Sequence, residues 1–265
     1  MNVIVCIKEV MDPAIPSVKF TIDTTMKCVV LPQGIPLVIN PYDANAVELA
    51  LRVKTANGGK VTIVTLQAAY SDAIVRHALS MGADDGVVLS DASFEGLDSF
   101  GIAYVLGKAI EKIGNYDLIL CGRQAVDWDE GLVGSILAEN LQVPLVTIAM
   151  DVTWAQDKLQ VKRVTIDGYQ IFETTVPVVL TVSNEVGRPR FPTGFGVISA
   201  ARKQLTVWKA QDLGVDLPGM EAATSKELID LSIHEHKRVC SFLSGKSTEE
   251  TAFKLAAKLR EIEAV

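Results

Sequence analysis

Residues Tyr116 to Asn140 constrain the fold more than any other stretch. The run Tyr116–Leu120 (YDLIL) reads as a strand buried on both faces, as in a parallel sheet. A polar loop, Gly122–Asp129, follows it, and then a helix signal. Asp127 or Asp129 can cap that helix, and Glu130 suits its first turn. Gly131 and Gly134 leave room for a ligand or another backbone to come close. A strand, a loop and a helix start with free N–H groups form an anion site, usually for phosphate. Pattern alone does not decide for a ligand, because most such corners in α/β proteins bind nothing. Three carboxylates (Asp127, Asp129, Glu130) also crowd this one.

The same alternation runs through the preceding chain. Val3–Ile7 (VIVCI) is a β-branched strand run. Lys8–Pro16 reads as a loop, punctuated by Pro13 and Pro16, and Val18–Pro32 as a weakly alternating surface hairpin. Asn40-Pro41 is the clearest helix start, with Asn40 as cap, Pro41 in the first turn and Asp43 near the positive end. Apolar residues at 46, 47, 49, 50, 51 and 53 form its stripe, and Asn57-Gly58-Gly59 ends it. A strand at Lys60–Leu66 comes next, then a helix from Ser71 or Asp72 to near Gly82. A strand at Gly86–Leu89 and a helix over Leu97–Ile113 complete the series. The prediction is an open, mainly parallel α/β sheet with right-handed crossovers and helices on both faces. Ligands on such sheets lie beyond the carboxyl ends of the strands, at a switch in strand order. The segments after Ile7, Leu66 and Leu120 would gather there, with the Asn40 helix start beside them.

From Pro144 the pattern changes. Val146–Thr153 and Leu159–Thr165 read as a hairpin turning near Gln156-Asp157, and Phe172–Val182 as a strand run interrupted by Pro177. Ser183–Thr193 is a proline-marked loop, Ala200–Val207 is basic and then strand-like, and Gln211–Ser225 is turn-rich and extended. Ser247 to Glu250 form a capping box, and Ala252, Leu255, Ala256, Leu259 and Ile262 give a helical stripe. The expected division is an α/β domain over 1–200, including the β-rich 146–193 part, and an arm with a terminal helix over 201–265.

Composition narrows the function classes. With 49% apolar and 22% charged residues the chain has a globular core, and its net charge of -7 argues against nucleic acid as partner. Cys6, Cys28, Cys121 and Cys240 form no CxxC pair, which suits buried small side chains in a reducing compartment. The start, MNVIVCIKEV, lacks a signal-peptide layout, and no run reaches membrane-spanning length, so the expectation is a cytoplasmic protein. SGKS at 244–247 imitates a P-loop end, but Cys240 stands where that motif needs glycine. Gly194-Phe195-Gly196 starts like a dinucleotide fingerprint, but Ser199 replaces its third glycine and no strand precedes it. His234-Glu235-His236 has no third ligand nearby, and His77 no evident acid–base partner. With no nucleophile elbow and no Cys/His pairing, the chain reads as a binding or carrier protein.

Several separated motifs, in order, resemble the β (small) subunit of electron-transferring flavoproteins. They are VIVCIKEV at the start, NPYDANAVELALRVK at 40–54, ALSMGADDGVVLSD at 78–91 and YDLILCGRQAVD at 116–127. PVVLTVSNEVGRPRFPT at 177–193 and KAQDLGVD at 209–216 complete the series. The resemblance implies an adenine-nucleotide-binding, Rossmann-like fold and a heterodimer with a larger α subunit. That partner holds the electron-transferring FAD and is embraced by the arm of β. It also implies electron exchange with an acyl-CoA dehydrogenase or similar flavoprotein. In simple carriers the β site holds AMP. In bifurcating members it holds a second FAD, which takes two electrons from NADH. The motifs at 78–127 look closer to the bifurcating and anaerobic group, so FAD is the expectation and AMP the alternative.

By position, the resemblance places Cys6 and Leu66 against the nucleotide and Asn40, Pro41, Tyr42 and Asp43 on its adenosine side. Gly122, Arg123, Gln124, Ala125, Val126 and Asp127 would wrap adenine and ribose. The N–H groups of Gly131, Leu132, Val133 and Gly134 would hold phosphate. Arg188, Pro189, Arg190, Phe191, Gly194 and Phe195 would meet the redox partner. The chain departs from the family pattern in three places. Leu132 and Val133 lack the usual hydroxyl or amide, and Met11 replaces a proline frequent in bifurcating members. Gly194 replaces an anchoring leucine, beside Phe195, which is either a substitute anchor or buried. A stand-alone adenine-nucleotide-binding protein on the same fold is the alternative from another class. It calls for a glycine- and serine-rich loop after the first strand, where KEVMDPAIP stands. A structural partner with an empty site is the third.

Overall fold

The computed structural model describes residues 1–16, 19–32, 34–155, 158–233 and 240–262. In chain order, β1 (Asn2–Ile7), β2 (Glu9–Met11), β3 (Thr21–Asp23), β4 (Cys28–Val30) and β5 (Leu37–Ile39) lead into α1 (Pro41–Asn57). Then follow β6 (Lys60–Gln67), α2 (Ala73–Met81), β7 (Asp85–Ser90), α3 (Ser99–Ile113), β8 (Leu118–Gly122) and α4 (Val133–Asn140). The second half holds β9 (Leu145–Ala155), β10 (Lys158–Thr165), β11 (Gly168–Thr174), β12 (Val178–Val182) and α5 (Gly194–Arg202). It closes with β13 (Thr206–Trp208), α6 (Leu217–Ala223) and α7 (Thr248–Glu261).

One sheet of nine strands, ordered β11-β10-β9-β12-β8-β1-β6-β7-β13, organises the chain. From β9 to β13 every pairing is parallel, and β10 and β11 extend it as an antiparallel edge. The alternation of β1 shows why both faces are covered. Val3, Val5 and Ile7 join α1 and α2 residues such as Leu49 and Val75 in one core. Ile4 and Cys6 join Leu106, Ile110 and Leu137 of α3 and α4 in the other. The chain steps outward from β1 through β6 to β7 and then returns to the opposite side as β8. That reversal makes a crevice beyond the carboxyl ends of β1 and β8.

Several expectations are corrected. Lys8–Pro16 is not all loop, because Glu9–Met11 pairs antiparallel with Leu37–Ile39. The Tyr116–Leu120 strand lies two residues later, at Leu118–Gly122, as β1 and β12 extend the ladder. Phe172–Val182 is not one strand: Pro177 has no N–H to give a ladder, and β11 stays at the edge while β12 enters between β8 and β9. Gln211–Ser225 contains helix α6 instead of an extended run. The segment at 194–202 is a helix, because Thr193 caps it and its backbone rests on the end of α2. Cys28 and Cys240 are exposed, against the expectation of burial, while Cys6 and Cys121 are buried. The hairpin at Thr21–Val30 forms as expected. Gln156-Asp157 and His234-Glu235-His236 lie outside the described residues. Helix α7 has no buried residue, and β13, beyond residue 200, joins the sheet beside β7.

Candidate functional site

The start of α1 and the loops after β1 and β8 meet in the crevice, and three side chains hold them together. Asn40 is almost fully buried at the cap position, yet its side chain makes no cap bond. It reaches across instead, donating from Nδ2 to the Gln124 carbonyl at 2.9 Å and accepting from the Val126 N–H at 3.2 Å. Pro41 at the first helical position keeps the helix start ordered without that cap. Asp43 accepts from the Lys8 N–H at 2.7 Å and the Gly122 N–H at 3.0 Å, tying the ends of β1 and β8 to α1. Lys8 then spans the mouth to Asp127 at 2.6 Å.

The loop itself folds tightly. Gln124 donates to Asp129 at 2.8 Å, and Arg123 lies over the Tyr42 ring, 5.6 Å from its centre. Asp129 and Gly131 both have positive φ, and a Cβ on Gly131 would stand 3.1 Å from the Arg123 carbonyl. A Cβ on Gly134 would meet Thr181 of β12 at 2.6 Å, so α4 can approach the sheet this closely only with glycine there. The helix starts at Val133 with Leu132 as cap residue, later than expected. Asp127 and Asp129 therefore do not cap it; they pair with Lys8 and Gln124. Glu130 is not in its first turn either, since it bonds Ser99 and Lys226. The Ser99 hydroxyl and Lys226 hold its carboxyl below the usual range. The Ser135 and Ile136 N–H groups already bond the Leu132 carbonyl at 3.0 Å, and with no side-chain acceptor capping α4 the Val133 and Gly134 N–H groups have no partner inside the helix.

Cys6 and Cys121 are in register at the ends of β1 and β8. The Cys6 thiol beside it and burial keep Cys121 well above the ordinary thiol pKa, hence a neutral thiol. Leu66 is half-buried near the end of β6, on the side of the sheet that Cys6 faces. The next residue, Gln67, was missed in the sequence. Its buried Oε1 has no hydrogen-bond partner among the described residues, while Nε2 donates to the Ser71 carbonyl. Its place directly after Leu66, at the carboxyl end of a strand, was the available signal.

Burial pushes the Asp43 pKa from 3.8 up to about 7, against the opposing pull of the Lys8 N–H, Asn40, the Gly122 N–H and the Lys8 charge. The folded chain thus holds this proton more tightly than the unfolded chain. The resulting stability is fully present below pH 3.8 and is lost as the pH rises through about 7. Between those values the slope reaches about 1.4 kcal/mol per pH unit. Urea unfolding of the wild type and Asp43→Asn at roughly pH 5 and pH 8 should show the wild type losing ground to the variant as pH rises. A gap that stays constant between the two pH values would mean that Asp43 is already ionised at the lower pH.

Residues of the expected docking segment divide. Phe195 is 89% exposed and Phe191 72%, so the buried alternative for Phe195 is excluded. Arg188 stacks over Phe191 at 4.8 Å. Arg190 is different, because its guanidinium is turned inward onto Glu48 of α1 at 2.8 Å. A shallow groove of about 380 Å³ lies beside Phe195, lined by Ile198, Ser199, Arg202 and Lys203.

Comparison with known proteins decides the lineage. The electron transfer flavoprotein domain model matches residues 27–213. The chain belongs to the electron transfer flavoprotein β-subunit family. It is 41% identical over 217 residues to the electron transfer flavoprotein subunit beta of Thermoanaerobacterium thermosaccharolyticum, covering 82% of this chain and 81% of that one. It is 33% identical over 264 residues to the caffeyl-CoA reductase-Etf complex subunit CarD of Acetobacterium woodii, covering 98% of each. The acryloyl-CoA reductase electron transfer subunit gamma of Anaerotignum propionicum is 35% identical over 216 residues, covering 78% of this chain and 77% of that protein. The parallel sheet with helices on both faces is the fold this family assignment calls for. No described helix is long and apolar enough to cross a membrane.

Proposed function

We propose that this chain is the β subunit of a heterodimeric electron-transferring flavoprotein and holds an adenine nucleotide in the crevice between α1 and the 122–134 loop. The observation that carries the reading is the convergence of Asn40, Asp43, Lys8 and Gly122 at the reversal in strand order. The residues present fit such a ligand. Asn40 and Asp43 shape the backbone that would wrap adenine and ribose, from Gly122 to Asp127, instead of offering their own side chains. Cys6, Tyr42 and Leu66 would supply apolar surface, and Gln67 Oε1 an unspent acceptor. The N–H groups of Gly131, Leu132, Val133 and Gly134 would hold phosphate without a basic side chain. Asp127, on the mouth of the crevice, would accept from sugar or ribityl hydroxyls.

FAD in this site is the reading we favour, with AMP as the alternative. A bound FAD supplies two-electron uptake from NADH and one-electron delivery, and the protein's part is to bind and orient it. Kinship with subunits named for caffeyl-CoA and acryloyl-CoA reductases supports an acyl-CoA dehydrogenase or reductase as redox partner. Four free cysteines suit the reducing cytoplasm. The test is nucleotide release and chromatography from the co-expressed heterodimer. Two FAD and no AMP per heterodimer support bifurcation, whereas one FAD and one AMP make the chain a single-flavin carrier. Gly131→Leu should empty the site while the heterodimer still forms, because φ is 65° and its Cβ would crowd the Arg123 carbonyl at 3.1 Å. Full nucleotide in that purified variant would sink the site assignment.

A further inference from the structure

The segment 184–203 is fastened at both ends and bare in the middle. At its start, Asn45 donates to the Gly187 carbonyl at 3.1 Å and Arg52 to the Val186 carbonyl at 3.0 Å. Glu48 takes the Arg190 backbone N–H at 3.1 Å, its Nε at 2.8 Å and its Nη2 at 3.2 Å. At its end, Arg76 donates to the Ala200 carbonyl at 2.7 Å, and Lys203 to the carbonyls of Ala83 and Asp84 at 2.8 and 2.7 Å. A Cβ on Gly196 would stand 2.2 Å from the Ser80 carbonyl, so α5 rests directly on the end of α2. Between these fastenings Phe191, Phe195 and Ile198 face solvent.

Glu48 is the least expected of the fasteners. It is a carboxylate with 5% residue exposure, midway along the helix whose first turn builds the crevice. Burial alone would raise its pKa, but the Arg190 side chain and N–H and Arg52 outweigh it and hold the carboxyl below its usual range. A buried charge met by a planar two-toothed guanidinium fixes direction as well as distance. Removing either member leaves the other unmatched, and the loop carrying it loses its reference point. Rigid presentation of exposed aromatic side chains lowers the ordering cost of docking.

We propose that Glu48 is a positioning residue for partner docking: through Arg190 it sets the loop that presents Phe191 and Phe195 to the redox partner. This rests on the reading of 188–195 as the docking segment. Arg190 then acts inward, through Glu48, instead of touching the partner as the sequence resemblance implied.

The test uses the co-expressed heterodimer with an acyl-CoA dehydrogenase as probe, and follows KM for the dehydrogenase, kcat and nucleotide content. Glu48→Gln and Arg190→Gln should each raise KM about tenfold, with kcat and nucleotide content unchanged. The double variant should be no worse than either single one, since the pair acts as a unit. Unchanged KM in Glu48→Gln overturns the proposal. So does a parallel loss of kcat and nucleotide, which is the signature of general unfolding. Phe195→Ala separates the two layers. If it leaves KM unchanged, the docking segment itself is misassigned and the inference falls with it. If it raises KM while Glu48→Gln does not, docking stands and only the positioning role fails.

Discussion

Gly122→Ala should both destabilise the chain and empty the proposed nucleotide site. Gly122 ends β8, directly beneath the first turn of α1. A Cβ there would lie 2.3 Å from Asp43 Oδ1, 2.8 Å from Tyr42 Cβ and 2.9 Å from the Tyr42 backbone carbon. Only one of those three atoms is the end of a side chain, so α1 itself has to move. Overpacking of this kind costs about 1–3 kcal/mol. The movement also breaks the Gly122–Asp43 bond and shifts Asn40 away from Gln124 and Val126, whose backbone would wrap adenine and ribose. Urea unfolding and nucleotide analysis of the heterodimer check both effects. Gly107→Ala is the control. Its Cβ would meet Leu137 at an ordinary 3.7 Å within a helix, and it should stabilise slightly. A Gly122→Ala protein with wild-type midpoint and full nucleotide would remove the α1–β8 approach from the account of the site.

Deleting residues 240–265 should cost the heterodimer far more than it costs this chain. Helix α7 is well made, with Ser247 accepting from the Glu250 N–H at 3.3 Å and Glu250 accepting from the Lys246 N–H at 2.8 Å. Its ion pairs, Lys254–Glu250 and Lys258–Glu261, run along the helix itself. No residue of it is buried; Phe253 and Leu255 are exposed at 77% and 49%, and Ile262 at its C-cap at 59%. A helix of this length on its own is marginal in water, so an apolar stripe implies a surface to lie on. With the α subunit as that surface, truncation should weaken the heterodimer at least 100-fold, or about 2.7 kcal/mol. The urea midpoint of the isolated chain should change by less than about 0.5 kcal/mol equivalent. Ultracentrifugation of the truncated pair and unfolding of the single chain separate the two effects. Unchanged association would mean that the arm serves something other than the α subunit.

Much of this was legible in the residues. The alternation of β-branched runs with helical stripes determined the parallel sheet and both layers of helices, because strand and helix periods sort the apolar side chains without reference to the rest of the fold. The Asn40-Pro41 start and the glycines after β8 were equally plain, since their backbone needs are local. The tail helix was readable from its capping box and its apolar stripe. What only the tertiary structure decided are the partners. Asn40 looked like a cap and is a bridge to the loop after β8, because that loop, 84 residues away, competes for its side chain. Asp127 and Asp129 looked like helix acids, but Lys8 claims Asp127 across the crevice and Gln124 claims Asp129 within the loop. Arg190 looked like a contact for another protein, but Glu48, 142 residues distant, turns it inward. Sequence spacing specifies which groups a backbone can carry. Which donor meets which acceptor depends on long-range packing, and that is where the candidate site and the fastened 184–203 segment were made.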